Sequence, residues 1–325
     1  MAITIGDFNG IGPEVALKAA MHPSIRSKCT PLLVGPLNVF EHAASNLRIK
    51  IQLRKAAAIL VKGATVSVVD IGDGIWADVE HGKPTKASGR TAGAAIESAV
   101  SLCLSEKAQA MVTAPASKEA LNLAGYNFPG QTEMITLLSR SSRVAMMLVS
   151  KEMRVGLVTI HVPVRTIAEH VTSEKIVEKM TVVRDSLKRD FRIKNPRLAV
   201  LGLNPHAGEH GVIGNEEETI ILPAVSEARK QGIPVDGPFP ADGFFGNKQY
   251  KRYDAVVAMY HDQGLIPLKM SSFGKAVNFS AGLDIVRTSP DHGTAYDIAG
   301  KGKARVDSML EAIKLATDIS RNRHD

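Results

Sequence analysis

Short aliphatic runs alternating with helical segments constrain this chain more than any other feature. The runs are 2–6, 31–35, 65–71, 108–114, 144–150, 154–161, 197–203 and 254–260. Most are continuously apolar, as strands are when helices cover both faces of a sheet. In 172–189, Ile176, Val177, Met180, Val183 and Leu187 share one helical face behind a Thr172 or Ser173 cap. A second helix is expected from Asn215, where glutamates complement the dipole, to Gly232, with a kink at Pro223. A last amphipathic helix is expected near 306–319. The runs 144–150 and 154–161 stand so close that they read as an inserted hairpin.

Strand–helix alternation predicts an α/β protein with a largely parallel sheet and helices on both faces. The low aromatic content, 5%, suits aliphatic strands and Ala-rich helices better than a β-sandwich. Both termini are expected to build a first α/β lobe, 1–130 with 275–325, and the middle, 131–274, a second.

Composition excludes several classes of function. Cys29 and Cys103 stand far apart with no metal-ribbon spacing, which fits a reducing compartment. The start of the chain runs straight into a strand without the pattern of a secretory leader. No apolar run approaches the roughly 18 residues of a membrane span. A cytoplasmic location without membrane partners is therefore expected. The net charge of +7 comes from basic clusters interspersed with acids and lacking aromatics, so no nucleic-acid partner is expected.

Three of the ten histidines stand out by placement. His161, His206 and His261 each close an aliphatic run. The carboxyl ends of parallel strands line the ligand crevice of such sheets. The intervals between the three leave room for helical crossovers, so all three imidazoles are expected to converge on one edge. That set suits a borderline divalent ion such as zinc, with positions left open for substrate. The competing reading is that one or more cap a helix or bind main chain. The run His206-Ala-Gly-Glu-His210 also matches an inverted zinc-protease pattern, but Pro205, Gly208, Gly211 and Gly214 argue against the helix that pattern needs.

Other segments carry weaker signals. The turn 6–14 opens a helix at Pro13 and is either a tight structural turn or a site loop. The segment 129–133 opens another helix with a hydroxyl and an amide at Thr132 and Gln131. Lys269, Asn278 and Arg287 interrupt apolar or small sequence, and cations of this kind partner phosphates and carboxylates.

These blocks together resemble the 4-hydroxythreonine-4-phosphate dehydrogenase family of pyridoxal phosphate biosynthesis. The resembling stretches are Gly10-Ile-Gly-Pro-Glu14, Pro129-Gly-Gln-Thr-Glu133, Leu203-Asn-Pro-His-Ala-Gly-Glu209, Pro240-Ala-Asp242, Ala258-Met-Tyr-His-Asp-Gln-Gly264 and Val286-Arg-Thr-Ser-Pro-Asp-His-Gly-Thr-Ala295. The resemblance implies metal ligands at His161, His206 and His261, in a homodimer whose site lies near the subunit interface. It implies substrate contacts at Gln131, Thr132, Lys269, Asn278 and Arg287, and proton transfer at Asp242 and Lys118. Gln131 stands where the family commonly has histidine, and Gln can bind but cannot transfer a proton at neutral pH.

The run 292–302 also resembles the cofactor loop of isocitrate and isopropylmalate dehydrogenases. It implies their two-lobed fold, with the active site in the cleft between the lobes, and nucleotide contacts at His292, Gly293, Thr294, Ala295 and Asp297. A carboxylate at Asp297 would favour NAD over NADP. The implied reaction is metal-dependent oxidation of 4-phosphooxy-L-threonine by NAD, with decarboxylation to 3-amino-2-oxopropyl phosphate. Zinc is the first choice of metal, ahead of magnesium, cobalt or manganese. The alternative substrate is a related phosphorylated sugar acid, threonate or erythronate 4-phosphate. A metal-dependent hydrolase or aldolase, and a phospho-ligand sensor, remain as readings that need no nucleotide.

Overall fold

The computed structural model describes residues 1–56, 65–72 and 79–324. The chain forms two compact units, Met1–Ser141 with Asp284–Arg321, and Ser142–Leu283 with Asn322–Asp325. These bounds put helix Gln131–Leu138 in the first unit and strand Val277–Ala281 in the second, each across the seam from where the sequence pattern placed it.

The first unit holds strands β1 (Ala2–Thr4), β2 (Leu32–Val34), β3 (Gln52–Lys55), β4 (Thr65–Val69) and β5 (Met111–Val112). The second holds β6 (Ala145–Val149), β7 (Arg154–Leu157), β8 (Leu198–Leu201), β9 (Val235–Phe239), β10 (Ala255–Ala258) and β11 (Val277–Ala281). Strand β12 (Arg287–Pro290) returns to the first. The first unit's strands run in the order β3-β4-β2-β1-β5-β12, every pair parallel. In the second the order is β11-β6-β7-β10-β8-β9. There β6 pairs antiparallel with both β11 and β7, which makes the hairpin read from the sequence, while β7, β10, β8 and β9 are parallel. The architecture is thus α/β with largely parallel sheets, as the alternating pattern requires.

The second unit's core explains its local order. Leu148, Val155, Leu157, Ala199, Leu201, Val256 and Ala258 project from the sheet onto Phe244, Leu265 and Leu268 of the covering helices. Helix His261–Ser272 can approach the sheet because Gly264 faces it: a Cβ there would fall 2.5 Å from Val155 Cγ1. Helix Ser173–Phe191 starts where Thr172 Oγ1 accepts the Lys175 amide and stops at Arg192, whose φ of 57° is left-handed. Its buried Ile176, Met180, Val183 and Leu187 form the face expected from their spacing.

The segment after Asn215 differs from a kinked helix. It begins as a π-helical turn, Glu217–Ile221, and becomes α-helical over Leu222–Lys230, with Pro223 in the first α turn. Proline is tolerated there because the first-turn amides need no intrahelical partner. The Ser173 hydroxyl donates to the Ile220 carbonyl at 2.7 Å.

Candidate active site

In the second unit the three sequence-selected histidines follow three neighbouring parallel strands. His161 lies beyond β7, His261 beyond β10 and His206 beyond β8, and β10 stands between the other two. None ends a strand, as the sequence pattern had suggested: each stands a few residues past the last ladder position, and His261 opens helix His261–Ser272. The strand ends are laced together. The Thr159 amide and hydroxyl both donate to the Met259 carbonyl, at 3.1 and 2.7 Å. Gln263 Oε1 accepts the Met259 amide at 2.7 Å, while its Nε2 donates to the Gly202 carbonyl at 2.6 Å. Gln263 thereby ties the β10 end to the β8 end.

The imidazoles of His161 and His261 lie 6.0 Å apart between centroids. His261 Nδ1 is 2.7 Å from Asp262 Oδ1. A carboxylate in that position fixes the tautomer and leaves Nε2 for a metal. The expected convergence of all three is not met within one chain. Among the described residues, no group of three or more His, Cys, Asp or Glu side chains is arranged to hold a metal ion. The physical reason is the turn carrying His206. His206, Ala207, Glu209 and His210 all have positive φ, so the chain curls back on itself instead of extending β8. This left-handed turn also removes the helix that an inverted zinc-protease site would need. The donors still fit a borderline ion in chemistry, two imidazoles together and a third following the neighbouring strand.

Asp242 lies in the first turn of helix Ala241–Gly246 and is exposed. Lys269 is on the same helix as His261 and is also exposed. Asn278 occupies β11 opposite Leu148, and its Oδ1 is buried without a hydrogen-bond partner. An unmet buried acceptor is uncommon, and a ligand would meet its need.

The first unit gathers a different set. Arg287, at the head of β12, is 2% exposed. Its Nε and Nη2 donate to Thr113 Oγ1 at 3.2 and 2.8 Å, its Nη1 to Thr132 Oγ1 at 3.2 Å and its Nη2 to Gln131 Oε1 at 3.4 Å. Burial pushes its pKa down to about 10, against the pull of Glu133. The structure thus brings Gln131, Thr132 and Arg287 together, with Gln131 serving as an acceptor. Lys118 is exposed at the start of helix Lys118–Leu123 behind its Ser117 cap.

The segment 292–302 is pinned at both ends. Thr294 carbonyl accepts the Ile11 amide at 2.9 Å, and Lys18 Nζ donates to the Gly302 and Ala304 carbonyls at 3.0 and 3.1 Å. Ala295 has a φ of 43° and leads into a tight turn, Tyr296–Ile298. His292 Nε2 is buried without a partner and Asp297 is exposed. An unmet ring nitrogen and an open carboxylate fit the hydroxyls and bases of a nucleotide.

Sequence reasoning missed the carboxylate beneath this segment. Asp7 is fully buried and accepts from the Asn9 amide at 2.9 Å, the Ser88 hydroxyl at 3.2 Å and the Tyr296 hydroxyl at 2.8 Å. Burial raises its pKa, and these bonds offset part of that rise. Burial and Asp7 together raise that of Tyr296. Thr113, the main acceptor for Arg287, and Gln263 were likewise missed as site residues. Gln263 sits inside a recognisable motif and Asp7 inside the turn 6–14, whereas nothing local marks Thr113.

Comparison with known proteins identifies the family. Residues 27–316 match the family model described as pyridoxal phosphate biosynthetic protein PdxA. A 4-hydroxythreonine-4-phosphate dehydrogenase of Geobacter metallireducens is 44% identical over 99% of this chain and 95% of its own. A D-threonate 4-phosphate dehydrogenase of Cupriavidus necator is 40% identical over 99% of this chain and 98% of its own. The crystal structure of 4-hydroxythreonine-4-phosphate dehydrogenase from Klebsiella pneumoniae superposes with a TM-score of 0.89 at 38% identity, covering 98% of this chain and 97% of that one. An isocitrate dehydrogenase from Methylococcus capsulatus shares the fold, with a TM-score of 0.50 at 14% identity, over 98% of this chain and 87% of that one. The chain belongs to the PdxA family of pyridoxal phosphate biosynthetic proteins, whose relatives are named as dehydrogenases.

Proposed function

We propose that this chain oxidises 4-phosphooxy-L-threonine with NAD and yields 3-amino-2-oxopropyl phosphate and carbon dioxide in pyridoxal phosphate biosynthesis. The observation that carries the reading is the buried guanidinium of Arg287 held beside Gln131 and Thr132, an anion-binding wall in a chain of this family. Arg287, Gln131 and Thr132 bind the anionic substrate. Lys269 adds a second positive charge, and Asn278 presents its unmet oxygen to a substrate donor.

His161, His206 and His261 hold one divalent ion, zinc by preference, which supplies stabilisation of negative charge on the substrate oxygen. The third imidazole comes from the partner subunit of a homodimer. Supporting this, Ile266 and Met270 on the helix that His261 opens, and Phe273 at its C-cap, are 56%, 72% and 82% exposed. Val164 and Val212, in the turns following the other two histidines, are 83% and 80% exposed. Large apolar groups left open to water in this way mark a contact surface.

The segment 292–302 holds NAD, with Asp297 accepting from a ribose hydroxyl and disfavouring a 2′-phosphate. A bound NAD would supply the acceptor for the hydride of substrate carbon 3, while the hydroxyl proton passes to a protein base. The bond to the carboxylate then breaks, its electron pair stays on carbon 2, and a proton restores neutrality there. Asp242 and Lys118 are assigned the proton transfers. The enzyme acts in the cytoplasm, in keeping with its unbridged cysteines.

The second reading keeps this chemistry on D-threonate 4-phosphate. Gln131 in place of the family's common histidine, and the relative named for that substrate, favour it. Steady-state NADH production with each substrate separates the two. Higher kcat/KM for 4-phosphooxy-L-threonine supports the first, and the reverse ranking supports the second.

A further inference from the structure

We propose that Glu217 is the positioning residue of the metal centre, setting the conformation of the turn that presents His206. The inference rests on the metal-binding reading above and adds to it a residue that touches neither metal nor substrate. Glu217 is 2% exposed, and its carboxylate lies beneath the His206 turn. Oε1 accepts both the Leu203 and the Asn204 amides at 2.7 Å, and Oε2 accepts Asn204 Nδ2 at 2.9 Å. Two backbone donors immediately before His206 are therefore fixed by one carboxylate.

The turn is shaped around that group. A Cβ on Gly208 would lie 2.6 Å from Glu217 Oε2, and one on Gly202 would lie 3.0 Å from Oε1, so a side chain at either position would crowd the carboxylate. On either side of Gly208, His206, Ala207 and Glu209 hold φ values of 53°, 51° and 43°. Left-handed backbone at consecutive non-glycine residues is unfavourable by itself and persists only where its surroundings impose it. The bonds to Glu217 are the imposing contact. Glu217 also begins the π turn, a feature that recurs at functional sites, and Ser173 closes on the carbonyl of Ile220 in that turn. Asn204 links Glu217 to Glu216, with Nδ2 at 2.7 Å from Glu216 Oε2.

A glutamine at this position keeps the size of the side chain but turns one acceptor into a donor facing Asn204 Nδ2. The Leu203 and Asn204 amides then face a neutral carbonyl in place of a charged carboxylate, and the pairing that holds the turn is weakened. Residues that orient metal ligands change metal affinity by about 10- to 100-fold when altered.

The test compares the full-length wild-type protein with E217Q, E217D and H206A. Zinc affinity is measured by competition with a chromophoric chelator, thermal midpoints are recorded without metal, and amide exchange is followed at Leu203 and Asn204. The proposal expects E217Q to bind zinc about 10- to 100-fold more weakly, with faster exchange at the two amides and a metal-free midpoint within a few degrees of wild type. Should E217Q fail to fold, E217D, whose shorter carboxylate cannot reach both amides, is read in the same way. Wild-type zinc affinity in a folded Glu217 variant, with H206A impaired, overturns the positioning role and leaves the metal reading standing. Wild-type zinc affinity in H206A overturns the metal reading itself, and the positioning role with it.

Discussion

Replacing Thr113 with valine keeps the shape of the strand end and removes the oxygen that two nitrogens of Arg287 share. Thr113 Oγ1 accepts from Nε at 3.2 Å and from Nη2 at 2.8 Å, and Thr113 itself is fully buried. In T113V both donors face a methyl group. Each buried polar group so stranded costs about 1–3 kcal/mol, and the charge on the guanidinium argues for the upper part of that range. Some relaxation toward Thr132 and Gln131 offsets the loss, so a destabilisation of roughly 2–4 kcal/mol is expected. Against a total stability of about 5–15 kcal/mol this is easily resolved. Urea unfolding measures it as a lower midpoint at unchanged slope. The same change loosens the fork that faces substrate, so KM for the phosphorylated substrate rises while NAD binding is unaffected. A loss below about 0.5 kcal/mol, with KM unchanged, would refute the claim that Thr113 sets the Arg287 anion site.

Further outcomes follow from other contacts. Burial tends to raise the Asp190 pKa, but hydrogen bonds from Arg323, Arg189 and Ser186 outweigh it and hold the carboxyl below its ordinary 3.8. Its charged form contributes stability that is fully present above that value and is lost as pH falls through the lower folded value. D190N should therefore flatten the acid limb of a stability-versus-pH curve; an unchanged limb counts against the pairing. Y296F removes the bond to Asp7 and should raise KM for NAD about fivefold, a loss of roughly 1 kcal/mol, with kcat retained. The pair M270D and F273D should yield monomers on size-exclusion chromatography and lose zinc affinity, whereas an unaltered dimer removes this helix from the interface. Stringent metal removal should abolish turnover and lower the thermal midpoint, with both restored by zinc; full activity without metal sinks the metal assignment.

Much of this architecture is legible because aliphatic runs and helical faces have simple periods. The buried face of helix Ser173–Phe191 and the antiparallel β6–β7 pair follow directly from residue spacing. Strands β11 and β12 escape the same reading because Asn278, Ser280, Arg287, Thr288 and Ser289 break the apolar pattern. Arg287 and Thr288 are bound there by tertiary partners that no local window contains. Strand β9 is masked by Gly237 and Pro238, which ordinarily argue against a strand. The histidines were found by placement alone, since three aliphatic runs led to them and their strands are neighbours. Their failure to converge in one chain was hidden, because a run of left-handed residues at His206, Ala207, Glu209 and His210 has no sequence signature beyond its glycines. The roles of Glu217 and Asp7 were hidden for the same reason: each acts on segments that only the fold brings near.

The central claim is that the chain is a dehydrogenase of 4-phosphooxy-L-threonine in which Arg287 holds the substrate. The most direct measurement is NADH formation by the zinc-loaded protein with this substrate, run beside R287M and beside D-threonate 4-phosphate. The account predicts turnover with release of carbon dioxide in equal amount to NADH. It also predicts a kcat/KM reduced by about 100-fold or more in R287M, the loss of a buried charged contact of roughly 3 kcal/mol. No NADH from either substrate, or turnover indifferent to the loss of Arg287, would contradict it.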